Sequence, residues 1–473
     1  METETIVYTR EIPVTQTCDV LVIGGGPAGL GAAIGAAKSG AQTLLVERYG
    51  FLGGNATASL VGPFMTSFSA DGTTQIVRGV FDELVRRMEA VGGAIHPANV
   101  PAGVAQSAYM LHGHTGVTPF DPEAMKLVSA ELCLDHGVQL QLHTVFVDPL
   151  MEGASVRGAI VHHKGGLSAI RANITIDCSA DADVAARSGV PFATGRQGDG
   201  LTQPMTMFFR VGNVQREAVD AYFRAHPEEI AGRMAFSSCI RAAQANGDYT
   251  IPRERLSMYE SPQPGVWRVN VSRILGADGT KVEDLTRAEI EGRRQVMHIL
   301  AFLRKYVPGF ADCTLIDTAA QVGVRETRRI VGEYVLTQED LMAGRAFADT
   351  IACGAYPMDI HSPTDGGGGV SNRGETANIY QIPYRCLVPL AVEQLLVAGR
   401  CVSATHEALG AIRVMPTSFA MGEAAGTAAA LAIAEGIAPR HVPVSWVRET
   451  LLRHGAYLGM TPPAPSPSPS PSP

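Results

Sequence analysis

The stretch Cys18-Asp19-Val20-Leu21-Val22-Ile23-Gly24-Gly25-Gly26-Pro27-Ala28-Gly29-Leu30 decides the fold. Its first six residues form a short apolar run suited to a strand buried on both faces. A glycine-rich turn follows, then an alanine-rich stretch from Leu30 to Ser39 that reads as a helix ended by Gly40. Thr43 to Val46 resumes as a second strand. Strand, turn, helix and strand make a right-handed βαβ unit of about thirty residues. Gly24 permits the tight turn, Gly26 lets backbone approach a pyrophosphate, and Gly29 lets the helix lie close to the sheet. Ala33 and Gly40 add small residues for helix–strand packing. The helix N-terminus turns free N–H groups and a partial positive charge toward phosphate. Glu47, at the end of the second strand, is placed to accept hydrogen bonds from ribose hydroxyls.

This unit alone does not say which dinucleotide is bound; two further segments bear on it. Arg48-Tyr49-Gly50-Phe51-Leu52-Gly53-Gly54-Asn55 is a second glycine-rich loop just beyond the acidic residue. A dinucleotide that continues into a ribityl chain needs backbone there, whereas a nicotinamide dinucleotide does not. Near the other end, Gln394 to Gly399 reads as a buried strand, followed by Arg400 and by Gly410-Ala411-Ile412-Arg413-Val414-Met415-Pro416. A helix rich in Ala and Gly is expected from about 417 to 435. Thr417 or Ser418 is expected to cap it, with Pro416 where a missing N–H costs little. Gly422, Ala425, Gly426 and Ala429 recur at helical spacing, which predicts close packing against the dinucleotide.

Between these ends the pattern predicts a helix over Glu123 to His136, a strand over Gln139 to Val147, and two strands, Val156 to Val161 and Ala169 to Ile176, around the turn His163-Lys164-Gly165-Gly166. A long helix is predicted from Thr286 to Tyr306. The expected fold class is α/β, a Rossmann-like nucleotide-binding domain (14–188 and 381–440) with an inserted α+β substrate or cap domain (189–380). A C-terminal helix (441–461) and an extended, disordered Pro/Ser tail (462–473) complete the expected organisation.

Taken together, the GGGPAG turn, the ERYGFLGGNA loop, IDCSADADVAARSG (Ile176 to Gly189), GVRETRR (Gly323 to Arg329), YPMDIH (Tyr356 to His361) and LLVAGRCVSATHEALGAIRVMPTSFAMGEAAGTAAALA resemble the FAD-dependent oxidoreductase family of the glutathione-reductase-like flavoproteins. These landmarks span residues 18 to 436. At Cys178-Ser179-Ala180-Asp181 the chain departs from the A-T-G-D stretch usual in that superfamily, and it lacks the iron–sulfur cysteine motifs of the heterodisulfide-reductase branch. The resemblance implies FAD. Cofactor contacts are expected at Gly24, Gly26, Pro27, Ala28, Gly29, Glu47, Arg48, Gly53, Gly54, Asn55, Val145, Ala180, Gly399, Arg400, Arg413 and Val414. It also implies that the positive end of the C-terminal glycine-rich helix faces the flavin.

Flavin chemistry needs a group that manages a proton, and the candidates are Arg325, Glu326, Arg328, Tyr356, Asp359, His361 and His406. His361, tuned by Asp359, is expected to act near neutral pH. Arg325, Glu326, Arg328 and Arg329 crowd one segment. Arg325 reads either as a clamp for a substrate carboxylate or as part of a structural Arg–Glu network.

Composition narrows the classes. Hydrophobic residues at 46% and charged residues at 18% are a globular balance. A net charge of −8 without a basic block argues against nucleic acid. No apolar stretch is long enough to span a membrane, and the N-terminus lacks a signal-like apolar core, so a cytoplasmic protein is expected. The eight cysteines form no C-x-x-C and no metal-ligand spacing, so no metal is expected. His112-x-His114 lacks an evident third ligand. The expected partners are a small-molecule substrate and, in a homo-oligomer, other copies of the chain. No second G-x-G-x-x-G follows a strand, so a separate NAD(P)H domain is not expected. A hydride-transferring FAD enzyme leads this reading. An NAD-dependent dehydrogenase and a non-catalytic protein merely stabilised by FAD stay open beside it.

Overall fold

The computed structural model describes residues 4–100, 116–231, 234–365, 368–369 and 376–459. Its first sheet is made from β1 (Val14–Ile23), β2 (Thr43–Val46), β3 (Gln139–Gln141), β4 (Val145–Glu152), β5 (Ser155–His163) and β6 (Gly166–Asp177), in the order β3-β2-β1-β6-β5-β4. The β3-β2-β1-β6 part is parallel, and β4-β5-β6 is an antiparallel meander. α1 (Pro27–Lys38) joins β1 to β2, as the glycine-rich turn predicts.

The expected strand over Gln139–Val147 is two strands at opposite ends of this order, separated by Leu142, His143 and Thr144, with His143 left-handed at φ 52°. Five strand spacings are about 24 Å, while four chain steps reach about 14 Å at full stretch. The meander must therefore fold back over one face of the parallel strands, and the side chains agree. Leu21, Ile23, Leu44 and Val46 share a core with Val156, Ala159 and Val161 of β5. Val20, Val22 and Leu45, one residue out of phase, pack with α1 on the opposite face. Strand periodicity reads the strands here, but not the fold of the sheet onto itself.

α2 (Val80–Ala90) and α3 (Pro122–Asp135) extend the α1 side of the core. After β6 come α4 (Asp183–Arg187) and β7 (Phe192–Thr194). A second core is built on β8 (Phe209–Gly212), β9 (Met258–Glu260), β10 (Trp267–Val269), α5 (Val282–Tyr306) and β11 (Thr314–Thr318), the strands ordered β11-β8-β10-β9. α5 begins a turn before the expected Thr286. Further elements used below are β12 (Arg328–Ile330), β13 (Thr350–Gly354), β14 (Ile360–His361), β15 (Gly368–Gly369), β16 (Tyr380–Pro383), β17 (Leu395–Val397), α6 (His406–Ile412), α7 (Met415–Glu435) and α8 (Val444–Arg453); short helices at Arg216–Ala225, Pro227–Ala231, Ser237–Ala245 and Gln338–Ala343 lie between the labelled elements.

The expected insert, 189–380, divides between the cores. Met205 through Val324 supply the second core, joined by Leu60. Leu336, Leu341, Phe347, Ile351, Met358 and Tyr380 belong instead to the first. β12 pairs with β7 and sends Ile330 into the meander core. β17 completes the parallel sheet by pairing with the C-terminal end of β6, Thr175 to Asp177. α8 lies within the expected 441–461 segment, and the 462–473 tail is outside the described residues.

α7 touches α1 backbone to backbone. A Cβ added at Gly422 would lie 2.0 Å from the Ala28 carbonyl oxygen, and one at Gly426 2.0 Å from that of Ala32. The small-residue stripe thus packs on α1, not on the dinucleotide as expected. Neither Thr417 nor Ser418 caps α7: the N-cap is Val414, and the Ser418 hydroxyl donates to its carbonyl at 3.2 Å. Pro416 sits in the first turn as expected. Among the described residues no helix is long and apolar enough to cross a membrane.

Candidate active site

The C-terminal ends of the parallel strands open onto a cleft of about 1130 Å3, counting its mouth. That is where open α/β sheets bind nucleotides. β1 ends in Gly24, whose φ of 101° favours glycine, and a Cβ there would meet the Cys178 carbonyl oxygen at 2.5 Å. A Cβ at Gly29 would meet the Gly24 carbonyl oxygen at 1.8 Å, so this glycine closes the turn on itself. Gly26 differs, because a Cβ there meets nothing nearer than the Gly54 Cα at 3.6 Å. The protein leaves room beside Gly26, between the two glycine-rich loops, where ligand backbone would lie. Gly26 is also the N-cap of α1 and provides no side-chain cap, with Pro27 in the first turn. The helix N-terminus therefore keeps its amides for an anion.

The two loops are tied together. Glu47 accepts from the Gly25 amide at 2.7 Å and from the Tyr49 amide at 2.9 Å. The Gly53 amide donates to the Gly25 carbonyl at 2.8 Å. Arg48 and the Tyr49 hydroxyl both donate to the Gln321 side-chain oxygen, closing the cleft from the second core. On the opposite wall, Ala180 is left-handed at φ 71°. Asp181 accepts from Thr327 at 2.7 Å and pairs with Arg400 at 2.5 Å. Asp183 pairs with Arg328. Burial, reinforced by Asp181 and Asp177 against the pull of Arg328, pushes the Asp183 carboxyl up to about 6.

A second cavity, about 800 Å3 with its mouth, adjoins the first and shares Asn55, Arg400 and Arg413 with it. Val61, Met65, Phe208, Val324 and Met415 supply apolar wall, and Thr206, Asn270, Arg325, Tyr356, Asp359 and His361 supply polar atoms. The Tyr356 hydroxyl donates to Asp359 Oδ2 at 3.3 Å, and its carbonyl accepts from buried Tyr380 at 3.0 Å. His361 Nε2 lies 3.4 Å from Asp359 Oδ2, and Nδ1 lies 3.5 Å from an Arg273 guanidinium nitrogen. A neutral ring with its proton on Nε2 suits both neighbours, since guanidinium can only donate. Burial, against the opposing pull of Asp359, pushes the His361 pKa down to about 3. Near neutral pH the ring is therefore neutral and has no extra proton to give as an acid. Arg413 is held by the carbonyls of Asp359 at 2.9 Å and Arg325 at 3.3 Å and by Gln203 Oε1 at 3.1 Å.

Of the expected cofactor positions, Gly24, Gly26, Pro27, Ala28, Glu47, Arg48, Gly54, Asn55, Val145, Ala180, Gly399, Arg400 and Arg413 line the cleft. Gly29 and Gly53 stand behind it, shaping the loops. Val414 lines the second cavity instead, because it precedes α7 at the junction. Of the proton-handling candidates, Tyr356 and His361 reach the second cavity. His406 reaches neither: its Nδ1 is 2.9 Å from Glu326, which also pairs with Arg329, and all three are buried. Within the GVRETRR segment Arg325 faces the cavity, while Glu326 and Arg329 build an internal network. The sequence reading missed Gln321, Asn270 and Thr206, lone polar residues in loops that carry no pattern. Asp181 and Asp183, which it did not single out either, alternate just past the end of β6. His112 and His114 lie outside the described residues, and among those described no His, Cys, Asp and Glu group is arranged for a metal.

The space beside Gly26, the uncapped N-terminus of α1 and the carboxylate at the end of β2 fit the pyrophosphate and ribose of a dinucleotide. Solved structures similar to this chain include p-nitrophenol 4-monooxygenase from Pseudomonas putida (12% identity, 93% of this chain and 85% of that one, TM-score 0.46). L-proline dehydrogenase from P. horikoshii is also similar (13%, 94% and 100%, 0.43). So is a geranylgeranyl bacteriochlorophyll reductase-like protein from Thermoplasma acidophilum (14%, 93% and 84%, 0.43). These likenesses are distant, and a search of curated proteins found no match. The sequence family described as FAD dependent oxidoreductase matches residues 19–451. With that match spanning the glycine-rich turn, both cavities and α7, the chain belongs to the FAD-dependent oxidoreductase family.

Proposed function

We propose that this FAD enzyme exchanges a hydride with a small organic molecule seated in the second cavity, while Tyr356 and Asp359 handle the accompanying proton. The observation that carries this is the adjacency of the two cavities through Asn55, Arg400 and Arg413. Bound FAD supplies two-electron chemistry, with N5 as the hydride-exchanging atom. The first-turn amides of α1 would hold its pyrophosphate and Glu47 its adenosine ribose. Asp359 orients the Tyr356 phenol and is the group to which that proton can pass. Tyr380, donating to the Tyr356 carbonyl, fixes the backbone behind it. The apolar wall from Val61 to Met415 excludes water from the reacting atoms.

The βαβ unit and the returning small-residue helix also support placement among glutathione-reductase-like flavoproteins. Eight buried, unbridged cysteines support a cytoplasmic setting. The family match supports FAD rather than NAD as the dinucleotide of the first cavity.

The test is anaerobic. The purified protein should show flavin absorbance near 450 nm, a general flavin property, and release FAD on denaturation. A panel of small alcohols, amines and acids should then contain a molecule that bleaches the oxidised form or re-colours the reduced one. Tyr356→Phe should keep FAD and slow that step about 10²-fold, the usual scale of general acid–base help. A protein whose flavin responds to none of the panel would favour the non-catalytic reading.

A further inference from the structure

Resting on the reading above, we propose that the second cavity binds a small monocarboxylate with an apolar body, its carboxylate held by Arg325. The argument begins with a contrast within one neighbourhood. Arg328, Arg329, Arg400 and Arg413 each face a carboxylate, respectively Asp183, Glu326, Asp181 and Asp359. Arg325, which lines the cavity, does not. Its Nη1 donates to the Pro204 carbonyl and, at 2.6 Å, to the Thr206 hydroxyl, both neutral. Among the described residues no carboxylate comes within ion-pair contact of it. Asp359 is near enough to be felt but is engaged with Tyr356, His361 and Arg413.

The surroundings increase the demand. Desolvation, then Arg413 and Arg253, with Arg273 adding to them, drives the guanidinium well below its ordinary pKa, against the single opposing pull of Asp359. A guanidinium does not deprotonate in proteins, so it stays a cation in need of an anion. A charge only partly open to solvent and left without a counter-ion is costly, and a ligand carboxylate in the fork of Nε and Nη2 would offset that cost. A second polar atom points the same way. Asn270 lines the cavity, and its side-chain oxygen is buried without a partner. Its amide can serve the ligand's remaining oxygen, since oxygen and nitrogen of such a group are interchangeable by a flip. Arg400 and Arg413 also line the cavity but are matched by Asp181 and Asp359, so one uncompensated cation and one amide suit a monoanion better than a phosphate dianion. The apolar residues of the same cavity, among them Phe208, Met65 and Val324, suit a carbon body rather than a second charge.

The experiment uses the FAD-loaded protein and calorimetric titration with acetate, isobutyrate and benzoate, each against its neutral amide, and with inorganic phosphate. At least one carboxylate should bind tenfold or more tightly than its amide and than phosphate. Arg325→Ala should abolish that preference with flavin absorbance unchanged. Arg325→Lys, which keeps the charge but loses the fork, should fold and lose severalfold in affinity, so the test survives if the alanine variant fails to fold. Equal binding of acid and amide, tighter binding of phosphate, or undiminished carboxylate affinity in both variants would overturn the proposal. So would loss of FAD from a folded Arg325→Ala protein, which would assign the guanidinium to the cofactor. Failure of the functional reading is seen separately, as a flavin that binds carboxylates yet answers no substrate or reductant.

Discussion

Gly26 has an unexceptional backbone, φ −76° and ψ −172°, and open space where a side chain would stand. Nothing in the protein itself requires glycine there, whereas Gly24 and Gly29 are required by the turn. Gly26→Val should therefore fold, losing about 1 kcal/mol as an unfavourable N-cap does, yet carry less than a tenth of its flavin. Urea denaturation and the 280/450 nm absorbance ratio check the two halves, and a fully loaded Gly26→Val protein would refute the placement of the pyrophosphate. The three glycines look alike in the motif, and their different duties emerge only when neighbours are known. The same holds for GVRETRR: residue types announced ion pairs, but which guanidinium faces inward depends on Asp183 and His406 arriving from distant segments.

At the scale of elements, α7 carries a buried acid in the middle of its glycine stripe. Glu423 reaches across to the start of α2 and accepts from the Val80 amide at 3.0 Å. Its other oxygen is buried without a partner. Burial, against that amide's opposing pull, pushes its pKa from 4.5 up to about 7. The native state thus binds this proton more tightly than the unfolded chain, so stability from this group is full below pH 4.5, falls as pH rises, and levels off above about 7. The loss is on the order of 3 kcal/mol. Glu423→Gln should flatten that fall, seen as a smaller difference between urea midpoints at pH 5 and pH 8; an unchanged difference would mean the carboxyl is solvated. Periodicity made the stripe legible, since Gly422 and Gly426 are four apart. It could not name what lay on the stripe, because spacing defines a face and not its partner. The split of Gln139–Val147 had the same origin: apolar alternation persists across Thr144, while the left-handed turn at His143 that separates the strands is set by tertiary packing.

At the scale of the molecule, two cores meet at the cavities, and Arg268 is a principal tie between them. From β10 it donates to the carbonyls of Val61 at 3.2 Å and Phe120 at 2.6 Å, with its guanidinium 4.1 Å from the Phe120 ring centre. Removing it strands buried acceptors on the other core. Arg268→Ala should cost about 2 kcal/mol or more and broaden the unfolding transition, as scanning calorimetry would register. A single sharp transition at the parent temperature would show the joint to be held elsewhere. The boundaries of this second core were only partly legible, because 325–380 has the mixed pattern of an insert yet buries its apolar residues against α7.

β6 has its final neighbour, β17, only after roughly 200 further residues have been added, and α7 comes later still. During synthesis the cofactor cradle therefore stands half-walled, with one strand edge bare, for tens of seconds at ~5–20 residues per second. The nascent chain can close its cradle around FAD only once β17 and α7 have emerged, so cofactor supply at that stage of synthesis bears directly on how much functional enzyme a cell obtains.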